Sequence, residues 1–312
     1  MRIKIDNLKA PLFLAWQINS ECNLECLHCC EEAGDIIVEK MKEEEIYNFL
    51  QQIIELRIPY VAISGGEPLI HPNFKEICEY LSKNGVNLKV ETNGEYIDEE
   101  TAKWFSDLKF RSVQLSLDGV EPSSHEKLRK YGNWHKTVSA CEFLIKYKVN
   151  TEIVFVPTRF NIHQIGDLID FAYKLGVYGV YTGKLMRIGR AAINWEIISP
   201  TEEQYKEFFK VLEEKMKQYD KKMKIFYYPF DVIEELKYRL RYPAASLLIL
   251  PDGRVKLIGP LPFICGDLKK ETITSVWEKY KKGWKNKRVI EFTKKVINDP
   301  KLLSLSNKWI EL

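Results

Sequence analysis

The feature that most restricts the fold is an alternation. Short apolar segments with strand character recur at residues 13–18, 60–63, 86–91, 112–117, 151–156 and 179–183. Each is followed by helical periodicity, at residues 42–55, 73–82, 98–108, 136–147, 165–175 and 202–218. In the first of these helices Ile46, Phe49, Leu50, Ile53 and Ile54 share one face. Apolar strands separated by amphipathic helices imply an α/β protein whose parallel sheet is covered on both faces, either curled or open. The chemistry of such sheets sits at the carboxyl ends of the strands. Polar and glycine-rich signatures fall at three successive ends: Ser64-Gly65-Gly66-Glu67-Pro68, Glu91-Thr92-Asn93-Gly94 and Ser116-Leu117-Asp118-Gly119.

After about residue 220 the pattern changes to the aromatic run 225–228, an apolar run at 247–250, the turn Pro251-Asp252-Gly253-Arg254 and a Lys-rich helical tail. Residues 1–220 are therefore read as the main α/β domain and 221–312 as a small α+β extension. A net charge of +3 gives no reason to expect a nucleic-acid partner. The early apolar run at 11–16 is far shorter than the roughly 20 residues of a spanning helix. No membrane association is expected, and a cytoplasmic location is.

Seven cysteines make an odd count, and four of them, Cys22, Cys26, Cys29 and Cys30, lie within nine residues. A disulfide framework would spread them, so the cluster points to a metal site in a reducing compartment. Cys22, Cys26 and Cys29 follow a strand on one tight loop and suit three irons of a cubane cluster, leaving the fourth iron open for a ligand. The competing reading is a structural zinc site that adds His28 or Cys30 to the same three thiols.

The run Cys22-Asn23-Leu24-Glu25-Cys26-Leu27-His28-Cys29, followed at the next strand end by Gly65-Gly66-Glu67-Pro68, resembles the radical S-adenosylmethionine (SAM) enzymes. The resemblance implies a partial (β/α)6 TIM-like barrel and one [4Fe-4S] cluster on Cys22, Cys26 and Cys29, with SAM chelated at the open iron. It implies that Gly65, Gly66 and Glu67 bind the methionine amino group, and that Thr92 and Asn93 line the same pocket. Ser116 and Asp118 would approach the ribose or methionyl part, and Arg129 would pair with the carboxylate. Gly189-Arg190-Ala191 resembles the family's element near the adenine.

The resemblance extends to a SPASM/Twitch-like C-terminal extension through Pro251-Asp252-Gly253-Arg254-Val255 and Gly266-Asp267-Leu268. Most such extensions bind auxiliary clusters, but here the expected cysteine position reads Lys256-Leu257-Ile258 and only Cys265 follows. One thiolate cannot hold a cluster, so a single cluster is expected. The family chemistry is reductive SAM cleavage to a 5′-deoxyadenosyl radical that abstracts a substrate hydrogen atom, with ferredoxin or flavodoxin as reductant. With 21 residues before Cys22, no leader-peptide-binding domain is expected ahead of the cysteine loop. Peptide modification, by epimerisation or crosslinking, and small-molecule chemistry therefore both stand, with peptide ahead. A non-enzymatic iron-sulfur or zinc protein is the third reading. Cys265 is a candidate hydrogen donor or, alternatively, a packed thiol. Cys78 and Cys141 on apolar helix faces are read as buried, and the Lys-rich tail as a solvated helix with buried tryptophans.

Overall fold

Strand and helix are held at a fixed spacing by large side chains on alternate strand positions. Leu14, Trp16 and Ile18 of β1 (Phe13–Asn19) are buried, and the Trp16 ring meets Phe49 of α1 (Glu43–Glu55) edge-on at 5.1 Å. A computed structural model describes residues 5–36, 38–228 and 230–312 of the chain. In it the same pairing of strand and helix repeats around a curved sheet. The strands are β3 (Tyr60–Gly65), β4 (Asn87–Thr92), β5 (Ser112–Ser116), β7 (Thr151–Val154) and β8 (Gly179–Gly183). The helices between and after them are α2 (Phe74–Lys83), α3 (Glu99–Asp107), α5 (Trp134–Lys146), α6 (Ile165–Leu175) and α9 (Glu202–Gln218).

Local chemistry sets several helix starts. The Asp98 carboxylate accepts from the Thr101 amide at 2.8 Å ahead of α3, and Thr201 with Gln204 forms a reciprocal cap on α9. Where the sequence suggests only a loop over 121–132, a short helix α4 (Pro122–Leu128) forms instead. Pro122 occupies its first turn, where a missing N–H costs nothing, and Ser124, His125 and Leu128 are buried beneath it. Two further short helices, α7 (Arg190–Ile193) and α8 (Trp195–Ile198), follow β8.

The sheet order is β13-β12-β11-β10-β1-β3-β4-β5-β7-β8-β9. Every neighbouring pair from β10 (Ser246–Ile249) across to β9 (Lys224–Tyr228) is parallel. The architecture is thus a partial TIM-like barrel. β9 and β10 both belong to residues 221–312, yet they pair with β8 and β1 and extend the parallel set at its two edges. Beyond β10, strands β11 (Arg254–Lys256) and β12 (Phe263–Asp267) run antiparallel, and β13 (Ile310–Glu311) closes that edge. A separate two-stranded ladder joins β2 (Glu25–Cys26) to β6 (Arg129–Lys130).

The remaining helices are α10 (Val232–Arg239), α11 (Ile273–Gly283) and α12 (Lys287–Asn298). On α11, Trp277 is buried, stacks on Tyr280 at 5.1 Å and donates its indole N–H to the Leu8 carbonyl at 2.9 Å. Lys279 stays solvated on the opposite side, so this basic segment is an amphipathic helix. Cys78 and Cys141 are buried on α2 and α5. Among the described residues no helix is long and apolar enough to cross a membrane.

Removing residues 221–312 would bare the edges of β1 and β8. A chain ending at residue 220 is expected to aggregate or to lose cooperative thermal unfolding, as followed by circular dichroism. A truncated chain that melts in one sharp transition would mean the barrel does not need its flanking strands.

Candidate iron-sulfur and cofactor site

The cysteine loop follows β1 and is held from three sides. The β2–β6 ladder sets Cys26 opposite Arg129, whose Nη1 donates to Cys26 Sγ at 3.6 Å. The Leu24 amide donates to Cys22 Sγ at 3.4 Å. All seven cysteines are free thiols. Burial pushes the Cys22 thiol up to about 12. Burial likewise pushes Cys26 up to about 11, against the opposing pull of the Arg129 guanidinium. Such thiols are poor free nucleophiles at neutral pH, whereas a bound cation deprotonates them outright.

Arg190 anchors the loop backbone. Its amide donates to Cys29 O at 2.8 Å, its Nη1 to Cys26 O at 3.2 Å and its Nη2 to Ala33 O, while Nε lies 3.0 Å from Asp35. Asn194 Nδ2 adds a hydrogen bond to Leu27 O at 2.9 Å. Gly189, at φ 58°, passes so close that a Cβ there would sit 2.3 Å from Cys30 O. Sequence resemblance sets Arg190 near an adenine; in this structure its guanidinium lies on two loop carbonyls and Asp35, so it braces the loop.

Asp118 is the second anchor. Fully buried, it lies 2.8 Å from Arg129 Nε and 3.1 Å from His28 Nε2, and it accepts from the Val156 amide at 2.8 Å. Burial alone would raise its pKa, but Arg129 and His28 outweigh that and hold it well below the usual carboxylate range. Asp118 and Arg129, expected at the SAM ribose or methionyl part and at its carboxylate, thus face each other, and Arg129 also faces a cysteine sulfur. Their charges are met inside the protein.

The glycine-rich strand end plays a similar part. The Gly66 amide donates to Asn19 O at 2.9 Å and the Glu67 amide to Glu21 O at 2.8 Å. A Cβ on Gly66 would fall 1.9 Å from Glu21 O, and one on Gly65 2.4 Å from Asn19 O. These glycines let two strand ends meet just ahead of Cys22. The Glu67 carboxylate is fully buried and accepts from Thr92 Oγ1 at 2.7 Å, the Asn93 amide at 2.9 Å and the Leu69 amide at 3.1 Å. Burial raises it to about 7 despite those donors. Asn93 in turn donates to Asn23 Oδ1 at 2.8 Å, which ties β4 to the cysteine loop.

Ser116, by contrast, keeps a half-buried hydroxyl without a hydrogen-bond partner among the described residues. Asn19 Oδ1 is buried, lacks a donor and borders a small cavity with Gln17, Glu31, Gly65 and Gly66. Asn19 carries no motif signal that sequence reasoning could have used, and Asn23 and His28 sit within the cysteine run without a sign of their partners Asn93 and Asp118. Cys265 lies elsewhere: its Sγ is 3.4 Å from Val255 O, and it lines a cavity of about 410 Å³ with Gly266, Glu271 and Lys279 of the extension.

The extension reaches the loop through a different residue. Lys256, buried at the position where a cysteine is expected, donates to Asn307 Oδ1 at 3.1 Å, and Asn307 Nδ2 donates to Cys30 O at 3.1 Å.

The donor set fits a cubane better than one zinc ion. Two of the three thiols receive N–H donors, as cluster-bound sulfur favours. Cys30 Sγ turns to Glu31 at 3.5 Å and His28 turns to Asp118, so neither supplies a fourth ligand. Among the described residues no three Cys, His, Asp or Glu side chains converge as a single metal ion requires.

Comparison with known proteins gives a match to the Radical SAM superfamily over residues 16–172, just over half of the chain. The chain belongs to the radical SAM superfamily. It is 30% identical over 203 residues to mycofactocin maturase MftC of Mycolicibacterium smegmatis, covering 65% of this chain and 52% of that one. It thus spans about half the length of this relative. It is 22% identical over 292 residues to the AdoMet-dependent heme synthase of Methanosarcina barkeri, covering 86% and 82% of the two chains. The fold resembles that of Streptococcus suis SuiB, solved with its precursor peptide SuiA, at TM-score 0.71 and 14% identity over 88% of this chain and 66% of SuiB. The cofactors of the superfamily are a [4Fe-4S] cluster and SAM.

Gly189→Ala is expected to push the Cys29–Cys30 backbone out of place. Anaerobically reconstituted protein should then hold less than half the iron of the wild type while keeping its circular dichroism spectrum. Full iron loading would show that the contact does not shape the loop.

Proposed function

We propose that this protein is a radical SAM enzyme that abstracts a hydrogen atom from a peptide substrate. The observation that carries the reading is the three-thiol loop, clamped by Arg129 and Arg190, with Cys30 and His28 both turned to other partners. Cys22, Cys26 and Cys29 would hold the cluster. Bound together, cluster and SAM supply reductive carbon–sulfur cleavage and the 5′-deoxyadenosyl radical that takes the hydrogen atom.

The chain's own residues bind and orient. Asn19 Oδ1, buried and without a donor beside Gly65, suits the methionyl ammonium, and the Ser116 hydroxyl is free to meet the ribose. Arg129 stabilises negative charge on Cys26 and is itself neutralised by Asp118. The extension supports the loop through Lys256 and Asn307. The contact of Cys265 Sγ with Val255 O supports the packed-thiol reading of that residue. Within this reading residues 1–220 carry the chemistry, and 221–312 complete the barrel edges and brace the cysteine loop.

A peptide substrate is supported by SuiB, solved with its precursor peptide, and by the maturase name of MftC. Small-molecule chemistry is the second reading, favoured by the heme synthase because that likeness spans most of both chains. Free clustered thiols suit the reducing cytoplasm, where ferredoxin or flavodoxin supplies the electron.

Wild-type protein reconstituted without oxygen is expected to carry about four irons and, once reduced, to form 5′-deoxyadenosine. Ser in place of Cys22, Cys26 or Cys29 should abolish both, whereas Cys30→Ser should retain both. Zinc in place of iron, or loss of the cluster in Cys30→Ser, would defeat the assignment.

A further inference from the structure

The inside of a packed TIM barrel is filled mainly by branched apolar side chains. This barrel departs from that rule. Parallel register aligns Gln17 with Ser64, Glu91 with Gln114, and Gln114 with Glu152. Because Ile63 pairs with Val90, Ser64 and Glu91 are neighbours as well. One row of five polar side chains therefore crosses β1, β3, β4, β5 and β7 on the face away from the helices.

One layer deeper the row reads Ala15, Ala62, Lys89 and Ser112, so small residues leave room around a single ammonium. Lys89 Nζ lies 3.0 Å from Glu152 and 3.8 Å from Glu91, and 4.5 Å from the centre of the Tyr181 ring. Below it Phe13 stacks on Tyr60 at 4.8 Å, and Arg111 covers Tyr60 at 4.7 Å as a floor. Tyr181 stacked on Phe226 at 4.2 Å forms a side wall.

Two facts separate this row from a structural ion-pair network. Gln17 and Gln114 are each only 6% exposed, yet neither makes a side-chain hydrogen bond among the described residues. Both amides therefore meet open space inside the barrel and not a protein partner, and are free to meet a ligand or the water that a ligand displaces. Glu91 keeps 45% of its side chain accessible, although it is enclosed by the barrel and its nearest cation is already shared with Glu152. Burial and the neighbouring carboxylates Glu152 and Glu31 raise its pKa, while Lys89 opposes them. At the level a substrate reaches from the strand ends, carboxylates outnumber the cation.

We propose that this row is a substrate-specificity site in which Glu91 receives a cationic side chain, an ammonium or guanidinium, of the substrate peptide. Gln17 and Gln114 hydrogen-bond the same group, and the Lys89–Glu152 pair fixes Glu91 from below. This rests on the peptide reading proposed above.

Blocked tripeptides of sequence Gly-Lys-Gly, Gly-Leu-Gly and Gly-Glu-Gly serve as probes, titrated by calorimetry into reconstituted holoenzyme with SAM present and reductant absent. The lysine peptide should bind roughly tenfold or more tightly than either other peptide, and Glu91→Gln should remove most of that preference. Equal binding of all three, a preference for leucine or glutamate, no binding of any peptide up to about 10 mM, or a preference that survives Glu91→Gln would each overturn the proposal. If Glu91→Gln does not fold, the wild-type ranking decides, with Gln114→Leu as the second variant, expected to weaken lysine-peptide binding. Iron content and 5′-deoxyadenosine formation by the same wild-type preparation report on the parent chemistry separately, so failure of the selectivity is distinguishable from failure of the enzyme assignment.

Discussion

The arrangement of the cysteine loop depends on one buried carboxylate. Asp118 has no solvent contact, and its charge is stabilised by Arg129 at 2.8 Å and His28 at 3.1 Å. A buried ion pair adds little net stability, because desolvation offsets much of the attraction. Removing one partner is far more costly, about 3–5 kcal/mol, since it strands the other charge. That asymmetry gives the loop its definition. Arg129 is kept in place by Asp118, and it faces Cys26 across the β2–β6 ladder. The strand end carrying Asp118 and the loop carrying the thiols are thereby coupled across the barrel mouth.

Much of this was legible in the sequence, and what was not has a common physical cause. Strand and helix periodicity located the parallel strands, and thiol spacing located the loop. Polar partners are set by tertiary approach. The Arg190 guanidinium meets a carbonyl 164 residues away, a pairing no local pattern encodes. Asp118, Arg129 and Arg190, read by resemblance as ligand contacts, also make contacts within the protein that support the loop. The glycines at 65 and 66 are required for a close approach of backbone at Asn19 and Glu21, a contact between strand ends that the motif does not reveal. The polar residues that alternate along β4 and β5 belong to one row only through the strand register, which no single segment displays.

The two halves of the site differ in how their polar groups are satisfied. Around the cysteines the charged groups Asp118, Arg129 and Arg190 are met by protein partners, which suits a reactive centre that must keep one geometry, and Asn19 Oδ1 and Ser116 stay open beside them. Inside the barrel, Gln17, Gln114 and Glu91 are left open, which suits recognition of an incoming group. The extension serves the first half: β10 lies beside β1, and Lys256 donates to Asn307, which in turn donates to the loop backbone at Cys30.

The central claim is that three sulfurs hold a cubane with one iron free for SAM. Mössbauer spectra of anaerobic, iron-57 reconstituted protein before and after adding SAM test it most directly. The account predicts that the spectrum of one iron in four shifts when SAM binds while the other three stay put. Spectra unchanged by SAM, or irons that all shift alike, would contradict it.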